Sequence, residues 1–79
     1  MHINASATIG HDAKLGDFVS INPAAVISGE TIIGRETLIG ANAVILQGLS
    51  VGESAVVGAS ACVVNNVAQG ATVKGVPAR

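Results

Sequence analysis

Two neighbouring residues of this 79-residue chain are chemically able, His11 and Asp12, in the stretch Thr8-Ile9-Gly10-His11-Asp12-Ala13-Lys14-Leu15-Gly16. Imidazole exchanges protons near neutral pH, and an adjacent carboxylate can orient the ring and stabilise its charged form. The pair is therefore a candidate general base. A His-Asp dipeptide also makes an ordinary solvated turn, and adjacency alone leaves both readings open. The choice depends on what the fold stacks against the pair.

A six-residue period sets that fold. Ile3, Ile9, Leu15, Ile21, Ile27, Ile33, Ile39, Ile45, Val51, Val57 and Val63 are eleven aliphatic residues in unbroken steps of six. Six of the eleven are followed by glycine, at Gly10, Gly16, Gly34, Gly40, Gly52 and Gly58. Two places before each aliphatic residue the side chain is almost always small or β-branched. That period-2 pairing puts both residues on one face of a short strand, and six residues then leave only two for a turn. Helices do not fit.

Short strands and tight turns stacked coil on coil give an all-β parallel β-helix, with three hexads per triangular coil of eighteen residues. Eleven hexads from Ile3 to Ala68 give about three and two-thirds coils, so the expected β-helix spans 1–68 and residues 69–79 form a tail after the last coil. Counterpart strands should pair at ~4.8 Å. The residue before each aliphatic position should face outward, giving three columns: Thr8, Val26, Val44, Cys62; Lys14, Ile32, Ser50, Ala68; and His2, Ser20, Leu38, Val56. Outward Val26, Val44, Leu38 and Val56 argue for a covered surface, and a homotrimer would bury one such face per subunit.

The composition agrees with a solenoid that associates. The chain is 49% hydrophobic, nearly all of it Ala, Val, Ile and Leu, with one Phe and neither Trp nor Tyr. A chain of this size builds only a modest core, so oligomerisation is expected. Four basic against five acidic residues, with no charged run, give no footprint for nucleic acid or an anionic membrane. No apolar stretch reaches the roughly 18 residues of a spanning helix. The lone Cys62 cannot close a disulfide within the chain, and a cytoplasmic location is expected. In its outward column it reads as packing, with no base near it in the repeat. No metal ligand set is proposed.

Eighteen-residue stacking places Gly29 beneath His11, with Gln47 and Asn65 further along the same corner, and Glu30 one coil from Asp12. Having no side chain, Gly29 would leave a backbone N–H open beside the imidazole, able to donate to the oxyanion formed at a thioester carbonyl.

The segment Ile3-Asn4-Ala5-Ser6-Ala7-Thr8-Ile9-Gly10-His11-Asp12-Ala13-Lys14-Leu15-Gly16-Asp17-Phe18-Val19 resembles the run around the catalytic histidine of the bacterial hexapeptide acyltransferases. These enzymes acetylate sialic acids or the amino group of UDP-4-amino sugars. Pro23 and Ile27-Ser28-Gly29 are similar to the family's thioester-binding turn, Leu38–Ile45 and Val56–Ala61 to its coenzyme A channel, and Lys74-Gly75-Val76-Pro77-Ala78-Arg79 to its closing motif. The resemblance implies a left-handed winding, against the usual crossover preference. It implies His11 as general base with Asp12 as its acidic companion. It further implies acetyl-CoA as acyl donor, held by Gly29, Ala41, Ala59, Lys74 and Arg79 between subunits of a homotrimer, and a small-molecule acceptor such as a sugar nucleotide.

Two departures from the family pattern follow. Ser20 stands where the family has a second histidine, and the sugar-nucleotide-binding domain that normally comes first is not in this sequence. His2, stacked one coil before Ser20, is a possible substitute or a solvated terminal residue. Two functions stay open: an acetyltransferase, whole or truncated, and a non-catalytic trimeric scaffold without the acceptor domain.

Overall fold

The computed structural model describes residues 2–3 and 6–78. It contains twelve two-residue strands: β1 (His2–Ile3), β2 (Thr8–Ile9), β3 (Lys14–Leu15), β4 (Ser20–Ile21), β5 (Val26–Ile27), β6 (Ile32–Ile33), β7 (Leu38–Ile39), β8 (Val44–Ile45), β9 (Ser50–Val51), β10 (Val56–Val57), β11 (Cys62–Val63) and β12 (Thr72–Val73). Successive strands take turns among three parallel sheets, ordered β1-β4-β7-β10-β12, β2-β5-β8-β11 and β3-β6-β9. The register is eighteen residues, as in Thr8 with Val26 and Lys14 with Ile32. This is the expected parallel β-helix. Among the described residues no helix is long and apolar enough to cross a membrane.

The aliphatic ladder is the core. Ile21, Ile27, Ile33, Ile39, Ile45, Val51, Val57 and Val63 are all 2% exposed or less, and Ala25, Ala43, Ala55 and Ala61 fill the space between them. Thr31 and Thr37 share that small inward column; their hydroxyls donate to the carbonyls of Ser28 (2.8 Å) and Gly52 (3.0 Å), which removes the cost of burying them. Ile9 and Leu15, in edge strands of the first coil, are only half-buried.

Among the described residues, each corner but the one through Asn65 is a two-residue turn whose second residue has a positive φ, from 57° at Glu30 to 64° at Ser6 among the non-glycine cases. The turn closes by a bond of the Ala13 N–H to Gly10 O (3.3 Å) type, and Pro23 occupies the first turn position. Both features define a type II turn. The left-handed conformation costs roughly 1–2 kcal/mol at a non-glycine residue. It also turns that residue's N–H toward the preceding coil: Glu30 donates to His11 O (2.9 Å), Glu36 to Asp17 O (2.9 Å) and Ser60 to Ala41 O (2.8 Å).

The last coil departs from the hexad count. Val56 pairs with Thr72, sixteen residues on, and Val67 bridges to Val51 and is buried. The expected outward place of Ala68 beside Ser50 is therefore taken by Asn66, whose Oδ1 accepts from Ser50 N at 2.9 Å. The turn through Asn65 is two residues short, and an even slip keeps every side chain on its own face. Because the sheet resumes at β12, the solenoid runs four coils, from His2 to Val73, and continues past Ala68. Beyond it the tail folds back: Gly75 O accepts from Cys62 N (3.0 Å) and Ala78 N donates to Cys62 O (2.9 Å), covering the end of the second sheet.

Truncating Ile33 to Ala should lower unfolding free energy by ~2–5 kcal/mol, and Ile9 to Ala by clearly less, since its site is already half-open. Denaturant melts of the two variants check the ranking.

Candidate active site

His11 and Asp12 are the two turn residues between β2 and β3, and Gly29 and Glu30 are their counterparts one coil on, between β5 and β6. The second turn position suits Asp12, at φ 62°, because aspartate tolerates the left-handed region. The turn sends the imidazole and the carboxylate out together, with His11 Nε2 3.3 Å from Asp12 Oδ2 and side chains 94% and 68% exposed. Beneath them, Glu30 accepts a hydrogen bond from Gln47 Nε2 at 3.0 Å. The eighteen-residue stacking thus brings His11, Asp12, Gly29 and Glu30 to one corner.

The Gly29 N–H has no acceptor among the described residues, and the reason is general. From Glu30 onward the second residue of each two-residue turn donates to the coil before, whereas the first, including Arg35, Ala41, Gln47 and Glu53, does not. Pro23, which has no N–H, is tolerated at that position for the same reason. An open amide is therefore a property of the repeat. Gly29 differs in lying against His11 without a side chain over the amide. A Cβ there would sit 3.0 Å from His11 O, and a Cβ on Gly10 would come within 2.5 Å of Gly29 N. Gly10 is a spacer that sequence reasoning did not single out; the glycine-rich column after each aliphatic residue is the signal that marks it.

The remaining expected residues lie elsewhere. Ala41 and Ala59 stack at the corner between the first and second sheets, and the Cβ of Lys74 lies against Gly58 beside them. The outward column Thr8, Val26, Val44 and Cys62 separates this corner from His11. One chain does not bring the two groups together. Arg79 lies outside the described residues. Ser20 pairs in register with His2 and Leu38 on the first sheet, away from the His11 corner. Among the described residues no group of three or more His, Cys, Asp or Glu gathers as for a metal, and no enclosed pocket forms.

A parallel solenoid of hexads is consistent with the C-terminal β-helix domain of a hexapeptide acyltransferase, and comparison with known proteins agrees. Residues 30–64 match the hexapeptide repeat of succinyl-transferase. The acetyltransferase domain of PglB from Neisseria gonorrhoeae FA1090 is 43% identical, with a TM-score of 0.96 over 98% of this chain and 38% of that one. The same domain in complex with acetyl coenzyme A matches equally well. A mutant perosamine N-acetyltransferase from Caulobacter crescentus, in complex with CoA and GDP-perosamine, is 29% identical, with a TM-score of 0.95 over 96% of this chain and 36% of that one. Soybean serine acetyltransferase is 32% identical, with a TM-score of 0.62 over 94% of this chain and 40% of that one. A comparison with curated protein sequences gives no significant match. The chain spans about two fifths of the length of these solved relatives.

Because the first two coils touch through backbone at this corner, Gly10→Ala should cost ~1–3 kcal/mol by overpacking. An amide exchange measurement should show the Glu30 N–H losing protection, while core amides such as Ile45 keep theirs.

Proposed function

We propose that the chain is an acetyl-CoA-dependent acetyltransferase domain, acting on an amino or hydroxyl group of a sugar or sugar nucleotide, in a cytoplasmic homotrimer. The observation that carries this reading is the open Gly29 amide directly beneath the His11-Asp12 pair. The likeness to an acetyltransferase domain solved with acetyl coenzyme A supports it.

The chemistry follows from the placement. With Nε2–H donating to Asp12, His11 presents Nδ1 as the base. The acceptor nitrogen or oxygen attacks the thioester carbonyl carbon and gives its proton to Nδ1. The charge that develops on the carbonyl oxygen is held by the Gly29 N–H. Collapse of the tetrahedral intermediate breaks the carbon–sulfur bond, and the thiolate of coenzyme A takes the proton back from His11. The acetylated acceptor and the free thiol leave, and the base is restored. Gly29 at this corner and Ala41, Ala59 and Lys74 at the neighbouring one fit a donor held between adjacent subunits. Arg79 is assigned to the donor by the resemblance alone.

A second reading, a non-catalytic trimeric scaffold, draws on Ser20, which cannot carry a proton as a histidine does. Single-turnover assays with acetyl-CoA and GDP-perosamine separate the two. His11→Ala should slow acetyl transfer by ~10²–10⁴-fold, the usual worth of a general base, while leaving the thermal melt unchanged because the side chain is exposed. Equal rates for the two proteins would remove His11 from the reaction, and no heat on titration with coenzyme A would support the scaffold.

A further inference from the structure

The His11 corner of a single chain is open to water, with His11 94% exposed. A thioester held there needs a wall that excludes solvent. Phe18 has the properties of such a wall and none of a folding residue. It is the one aromatic of the 79 residues, it is 68% exposed, and it stands outside the core cluster, which Val19 enters in its place. Its φ is 60°, and a bulky side chain in the left-handed region is an outlier. The other turns use Ser, Asp, Ala, Glu, Asn or Gly at that position. Among the described residues no hydrogen bond from the Phe18 N–H and no core contact offsets the strain, and a local rule broken without a folding gain points to function.

Height decides what Phe18 faces. The outward apolar columns Val26-Val44-Cys62 and Leu38-Val56 run along the solenoid axis, so copies that join through them lie with axes about parallel. In a ring of such copies each residue keeps its level. Phe18 is in the same coil as His11, one corner further round, and so comes level with the His11 corner of the next copy. The groups at its own corner are Asp17, Glu36 and Glu53 against Arg35, a net negative setting that disfavours a phosphate-bearing ligand on the ring.

Resting on the trimeric transferase reading, we infer that Phe18 of one copy closes over the His11-Asp12-Gly29 corner of the next, as the positioning and water-excluding residue of a site shared between subunits. Phe18→Asn should fold with an equal or higher melting temperature, because asparagine accepts the left-handed conformation. It should lose most of its acetyl transfer, and Phe18→Leu should recover part of it.

Co-expressing Phe18→Asn with His11→Ala tests the sharing. Each intact site needs His11 from one copy and Phe18 from its neighbour, so a 1:1 mixture should regain about a quarter of wild-type activity from two inactive parents. Activity that stays at the level of the parents overturns the inference. A second readout does not depend on catalysis: p-benzoyl-phenylalanine replacing Phe18, irradiated with an isotope-labelled copy present, should cross-link to the labelled Thr8–Lys14 peptide. Cross-links elsewhere, or none, overturn the inference. That cross-link in a protein that transfers no acetyl group would uphold the contact and sink the transferase reading.

Discussion

The hydrogen bond from the second turn residue to the first turn carbonyl of the coil before is the interaction on which this structure depends. It recurs at Glu30, Glu36, Asn42, Gly48, Ser54 and Ser60, and it requires the positive φ that these residues adopt. The six-residue period follows from it, since two turn residues and a short strand are all that fit between one corner and the next. The eighteen-residue register keeps isoleucine over isoleucine in a dry core. From Glu30 onward the strain of each left-handed turn residue is offset by a backbone bond that a looser corner would leave unmade; Asp12 and Phe18, in the first coil, make no such bond.

The same geometry generates the candidate site. Among the described residues, first turn residues other than Pro23 leave their N–H without an acceptor, as at Gly29, Arg35, Ala41, Gln47 and Glu53, so the solenoid carries open amides along its corners. Chemistry needs only one of them to lie bare beside a base. Under the proposed function Gly29, stacked on His11, is that amide, and Gly10, pressed against the Gly29 nitrogen, sets the spacing of the two coils. Ala41 and Ala59 offer equivalent amides at the next corner, which one chain cannot bring to His11. A donor that spans both groups requires a second copy.

Much of this was legible in the sequence because the repeat is regular where the site lies. The stacking of Gly29 on His11 and of Val26 on Thr8 is simple addition of eighteen, and the structure reproduces it. Addition failed at Ala68. The short turn through Asn65 replaced Gln69 with Val67 as the next core residue, and an apolar side chain two places early was the available signal. The generality of the open amide was not legible, because hydrogen-bond direction at a corner depends on φ, which a column of Asp, Phe, Ala and Glu does not announce. Nor was the folding back of the tail onto Cys62, a contact that carries no period.

The most direct test of the central claim is an amide NMR titration of the uniformly labelled protein with acetyl-CoA. The Gly29 N–H resonance should move strongly, together with those of Ala41 and Ala59, while the equally open amides of Arg35 and Glu53 stay in place. A Gly29 resonance that does not move at saturating acetyl-CoA, or that moves no more than Arg35 and Glu53, would contradict the claim.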